Sequence, residues 1–283
     1  MLRTLAYLSV DAAGFAPRLV EAARARGTAC VALSLDAPLR NQPVTISPGE
    51  VVWEGVDLLG AGAILVECPL FPWPQRQFPD DLRFEPTGPG ARISPEREAR
   101  SLALSAIWIA SRTVPVWNPP AAAHLAASPA VALERLAGAG LPVHPWALEP
   151  APDAAGDGCL VMDATGRDRW HRPSRPAPGE PAIVLEPIRG EVLQLLVVGG
   201  EPVGARGRRW EDVPPEAAGL ATAAARALGL QIAAVLVAAA PASSEIVAVE
   251  AGPDLADWNA CLDGRLAPLL LERLEAIALG ASS

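Results

Sequence analysis

The chain has 283 residues, 51% hydrophobic and 19% charged, enough for one large α/β domain or two smaller ones and unlike a disordered polymer. Its formal net charge of −9 argues against a nucleic-acid binder held by phosphate contacts. Lysine is absent, so all 23 cationic side chains are arginine, and a mechanism built on a Walker A lysine or a Schiff base is excluded.

The first third alternates strands and helices. Leu2–Val10 is an apolar, β-rich run, and Asp11–Gly14 a turn. Phe15–Arg26 has the helical spacing of Leu19, Val20 and Ala23, and Gly27 ends it. Cys30–Leu35 and Gly62–Glu67 read as buried strands. This order with continuous apolar strands predicts a parallel sheet covered on both faces. From Cys68 to Gly90 the prolines deny regular structure, so a long ordered loop is expected. Within it, Leu70, Phe71, Trp73 and Phe78 of the segment Cys68–Phe84 are predicted to join a self-association interface, giving a homodimer. Ser94-Pro95-Glu96 starts a helix that runs to about Arg112. Val114–Trp117 is a short strand ended by Asn118-Pro119-Pro120, and the next helix restarts at Ser128-Pro129 and closes at Gly138 and Gly140.

The remainder has another rhythm. Short strands are expected at Cys159–Asp163, Ile183–Pro187, Gln194–Val198 and Pro202–Arg206, with Gly199-Gly200 as an antiparallel hairpin turn. A helix at Pro215–Leu228 precedes strands Ile232–Val237 and Glu245–Glu250, and Arg265–Leu279 is the last helix. The hairpin and the Ile232 and Val247 strands should share one sheet, because their central apolar runs need a common cover. The natural boundary lies near residue 119, between a parallel part (1–119) and a mixed part (120–283).

Cys30, Cys68, Cys159 and Cys261 are far apart, as are His124, His144 and His171, so no zinc site is expected and the thiols read as buried or half-buried in a reducing cytoplasm. No apolar run is long enough to suggest a membrane span or a signal segment.

Three stretches in order resemble the ATP-grasp superfamily, nearest its carboxylate–amine ligase branch of ribosomal-protein glutamate ligases and glutathione synthetases. They are Trp117-Asn118-Pro119-Pro120 with Gly140-Leu141-Pro142-Val143-His144-Pro145; Glu186-Pro187-Ile188-Arg189-Gly190 with the hairpin from Leu195 to Ala205; and Ala234-Val235-Leu236 with Val247–Pro253. The resemblance covers about residues 50 to 280. It implies a parallel N-terminal α/β domain followed by a mixed-sheet α+β ATP-grasp domain, with a shortened lid at about 159–206. In that family an acyl phosphate forms and an amine attacks it, which needs cations on the triphosphate and two Mg²⁺ ions.

The departures carry the functional expectation. The first family lysine falls near Ser128, the second within Leu160-Val161-Met162-Asp163, the arginine near Gln194, the metal aspartate at Leu236 and the asparagine at Gly252. Only Glu250 keeps its type, so it is the candidate metal ligand, with Asp254 and Asp257 close behind. Glu186, Arg206, Arg208 and Glu250 are the candidate ligand-binding residues, since arginine forks can hold phosphate or carboxylate. The prolines between Ala164 and Pro181 leave no helix and no phosphate-cradling glycine loop there, and Arg167, Arg169, Arg172 and Arg175 read as a solvated stretch. The first reading is a divergent, non-catalytic ATP-grasp-like protein that binds a small molecule or a partner protein and needs no cofactor. The alternatives are an active ligase using ATP and Mg²⁺ through arginines and displaced acids, and a structural subunit docking through its Trp/Pro loop.

Overall fold

The computed structural model describes residues 4–9, 14–35, 44–67, 95–150, 160–163, 181–240 and 243–280. The chain divides into two units, the first taking the described residues up to Pro120 together with those from Asp254 onward, the second Ala121–Pro253.

In the first unit, β1 (Leu5–Ser9), α1 (Ala16–Arg26), β2 (Cys30–Ser34), β6 (Ala63–Val66), α2 (Pro95–Ala110) and β7 (Val116–Trp117) build a four-stranded parallel sheet in the order β2-β1-β6-β7. Its central strands β1 and β6 are buried along their whole length, as a sheet covered on both faces requires. Helix α1 has proline in its first turn and ends where Gly27, at φ 73°, donates its N–H back to the last turn. Between β2 and β6 lies a meander that the sequence reading had not anticipated: β3 (Val44–Ser47), β4 (Glu50–Trp53) and β5 (Val56–Asp57), all antiparallel. Trp53 is wholly buried there, and its indole N–H donates to the Ser34 carbonyl at 3.1 Å.

The C-terminal helices α6 (Leu255–Cys261) and α7 (Leu266–Gly280) belong to this same unit, where a division at residue 119 had put them with the second. Helix α7 packs on α1, β1 and β6. The buried Glu275 is held by the Thr28 hydroxyl, which donates to one carboxylate oxygen, and by Arg26, 3.0 Å from the other. These bonds compensate the desolvation of that carboxylate.

The second unit begins with α3 (Pro120–Ala127) and α4 (Pro129–Gly138), separated by Ser128-Pro129 as expected. A three-stranded antiparallel sheet follows, in the order β8-β10-β9, from β8 (Trp146–Pro150), β9 (Leu160–Asp163) and β10 (Pro181–Leu185). A larger antiparallel sheet, β12-β11-β13-β14, is made by β11 (Glu191–Val198), β12 (Glu201–Ala205), β13 (Ile232–Ala240) and β14 (Ser243–Glu250), with α5 (Pro215–Ala227) on one face. The hairpin and the two later strands thus do share one sheet. Within the expected lid span of 159–206, β9 and β10 lie in the smaller sheet, while β12 pairs with β11 and β11 with β13 in the larger one, whose core their apolar runs complete. Gly199 and Gly200, at φ 60° and 81°, form the two-residue turn whose twist suits a tight hairpin. The Pro-rich stretch at 164–180 and the aromatic segment Cys68–Phe84 lie outside the described residues.

Candidate functional site

The larger sheet presents two unlike faces. In one cross-strand row, Ala205, Leu195, Val235 and Val249 point toward α5 and its alanines Ala217, Ala221, Ala224 and Ala225. One residue along, Arg206, Gln194, Leu236 and Ala248 form the next row, on the opposite face because side chains alternate. Arg206 is placed beside Gln194 by its own N–H, which donates to the Gln194 carbonyl at 3.0 Å. Two residues further, Glu250 pairs with Ala234, and Ala234 with Leu196, so Glu250 shares the face of Arg206 and Gln194. Strand β10 packs on this second face through Ile183 and Leu185, which meet Leu236, Ala238 and Ala248.

The polar groups here are shielded from water. Gln194 Nε2 is buried and has no hydrogen-bond partner among the described residues, and the Arg206 Nε and Glu250 Oε2 atoms are likewise inaccessible to solvent. The arrangement puts a guanidinium and an amide donor on adjacent strands, with one carboxylate two strands away. A donor pair of this kind suits an anion such as phosphate or carboxylate.

The four sequence candidates do not converge. Arg206 and Glu250 lie on the shared face, half-buried. Arg208 instead pairs with Glu191 at 2.5 Å, and Arg209 with Glu211 at 2.6 Å, both at exposed positions. Glu186 follows β10 with its side chain exposed, its N–H donating to the Pro145 carbonyl at 3.1 Å. Asp254 accepts the Asp257 N–H at 3.0 Å and so caps α6. Among the described residues no group of three His, Cys, Asp or Glu is placed to hold a metal. Leu236, 9% exposed, fills the strand position where the family resemblance expects a metal-binding aspartate. Among the described residues this face offers one carboxylate beside a leucine, which does not supply the several oxygen ligands that a pair of Mg²⁺ ions needs.

Sequence reasoning missed His144. It is buried, 6% exposed, with Nδ1 2.7 Å from Glu245 Oε2 and Nε2 2.9 Å from the Glu186 carbonyl. Its partners are 101 and 42 residues away, so spacing alone offered no signal. The thiols also differ from expectation, since Cys261 is exposed at the end of α6. Burial pushes the Cys30 thiol up to about 11, which keeps it protonated at neutral pH.

No protein-family model and no curated protein matches the sequence. Solved structures do resemble it. The ATP-grasp ligase PsnB, complexed with the precursor peptide PsnA2 and AMPPNP, superposes with a TM-score of 0.73 at 15% identity, over 97% of this chain and 98% of that one. The macrocyclase MdnC from Microcystis aeruginosa MRC, bound with the precursor peptide MdnA, gives 0.65 at 14% identity over 98% and 99%. A RimK domain ATP-grasp protein from Sphaerobacter thermophilus gives 0.60 at 19% identity over 96% and 99%. At such identities the likeness is one of fold, and it extends over nearly the full length of both chains: this chain has the ATP-grasp fold.

Proposed function

We propose that this ATP-grasp-fold chain is a divergent, non-catalytic binding protein whose nucleotide and Mg²⁺ site is degraded, and that it takes an anionic small molecule or the carboxylate of a peptide. The observation that carries the reading is the row Arg206–Gln194–Leu236–Ala248: it offers donors to an anion and no acid to a metal. That PsnB and MdnC were solved with precursor peptides supports a peptide as one class of partner. Each lost charge-assisted contact removes about 1.5–3 kcal/mol, and even two such losses weaken binding by roughly two to four decades. Calorimetry with ATP and Mg²⁺ is therefore expected to give binding weaker than about millimolar, while sodium pyrophosphate raises the Tm of the wild type and not of Arg206→Ala.

One observation favours a second reading, an active carboxylate–amine ligase. Arg206 stands one strand over from the position at Gln194 where the family resemblance expects an arginine, so a cation returns to the same face. A low-micromolar Kd for MgATP that is lost on Glu250→Ala would establish that reading and defeat the first.

A further inference from the structure

The second unit contains a junction that the anion-binding face does not use. The segment Pro142–His144 runs along the outer edge of β14: the Ile246 N–H donates to the Pro142 carbonyl at 2.8 Å, and the His144 N–H donates to the Ile246 carbonyl at 2.9 Å. The chain then leaves the larger sheet and enters β8 of the smaller one, where Trp146 pairs with Leu185 and the Glu186 N–H extends the ladder to Pro145. The His144 ring sits at this crossing. Nδ1 faces a carboxylate oxygen of Glu245 on β14, and Nε2 faces the carbonyl oxygen of Glu186 just past β10. Both partners are acceptors when Glu245 is ionised. A neutral imidazole has one N–H and one lone pair, so it can satisfy only one of them; the imidazolium satisfies both.

We propose that His144, carrying protons on both ring nitrogens, clamps the Glu186 turn of the three-stranded sheet to the edge of the four-stranded sheet, and that loss of one ring proton opens this junction. The charged groups that meet the ring are Glu245 from β14 and Glu186 from the turn after β10, the latter through its main chain. Glu134 and Arg135 of α4, Glu149 of β8 and Arg189 after β10 are exposed, and none bonds to the ring. The clamp is closed while both ring nitrogens carry protons and Glu245 is ionised, and it loosens when one ring proton is lost. His144 is a positioning residue, since it acts on the Glu186 turn and touches no ligand.

The test uses the whole wild-type chain without ligand, so its failure and the failure of the binding reading are separable. Long-range ¹H–¹⁵N correlation spectra report the protonation of the His144 ring nitrogens, and hydrogen exchange reports the His144, Glu186 and Ile246 amides over about pH 5 to 8. Both nitrogens are expected to be protonated where these amides are slow. After correction for intrinsic exchange, opening should accelerate roughly ten- to hundredfold as the ring deprotonates, the equivalent of one charge-assisted bond. Glu245→Gln should move that transition to lower pH, and His144→Gln should abolish its pH dependence. Corrected exchange that stays flat over the range overturns the proposal, as does a singly protonated ring beside slow amides. Should His144→Gln not fold, the wild-type spectra decide alone.

Discussion

Two rows of the same sheet, one residue apart, differ in what they ask of a side chain. The row Ala205–Leu195–Val235–Val249 is sealed under α5, whose alanines let the helix lie close against the strands. The row Arg206–Gln194–Leu236–Ala248 looks the other way, and β10 covers only its apolar end. The first row is a packing solution in which volume decides everything. The second keeps the Gln194 amide nitrogen shielded from water with no hydrogen-bond partner among the described residues, an arrangement that costs stability. The alternation of β11 thus gives the two faces of one strand unlike side chains.

The largest effect should come from breaking the sealed row. Leu195→Ala leaves a cavity under α5 and is expected to cost about 2–5 kcal/mol in urea unfolding. A cost below about 1 kcal/mol would mean that the sheet and helix do not meet as described. The start of β11 comes next. Gly190 has φ 114°, and a Cβ there would lie 2.3 Å from the Ala239 carbonyl oxygen, so Gly190→Ala should cost about 2–4 kcal/mol through strain and overlap. Gly200, at the other end of the strand, meets nothing within 4 Å; Gly200→Ala should lose only about 1 kcal/mol, from its positive φ.

The row Arg206–Gln194–Leu236–Ala248 should respond with the opposite sign. Gln194→Leu is similar in size and removes a buried amide N–H that has no partner among the described residues, so it is expected to stabilise the fold by about 1 kcal/mol while weakening anion binding. If the substitution destabilises as much as Leu195→Ala does, the amide is part of the core and the binding face has been misplaced.

The strands and the hairpin of this sheet were legible in the sequence because continuous apolar runs and Gly199-Gly200 state them locally. The three-stranded meander was not read, although Pro48-Gly49 and Glu54-Gly55 between β-branched residues carry its signal. Helix α6 was overlooked too, yet Asp254 with Asp257 three residues on is a recognisable helix start. The return of α7 to the first unit had no local signal at all, since an amphipathic stripe says that a face is buried and not what buries it. The same holds at the site. Residue type suggested both Arg206 and Arg208, and only the strand register tells them apart.

That distinction sets the last and smallest effect. Arg206 is beside Gln194 on the face that lacks α5, and its Nε is out of reach of solvent. Arg208, two residues on, turns to Glu191 at the foot of β11, with side chains 33% and 55% exposed. An ion pair so open to water gains little over two separately hydrated charges, and salt screens it further. Arg208→Ala is therefore expected to change stability by no more than about 0.5 kcal/mol and to leave the pyrophosphate-induced rise in Tm within error of the wild type. Arg206→Ala should abolish that rise. Both variants remove the same unit of charge from the same short stretch, so a nonspecific field effect would reduce the response equally in the two. Equal losses would show that the basic hairpin end as a whole attracts the anion, and that the buried row has no special part in holding it.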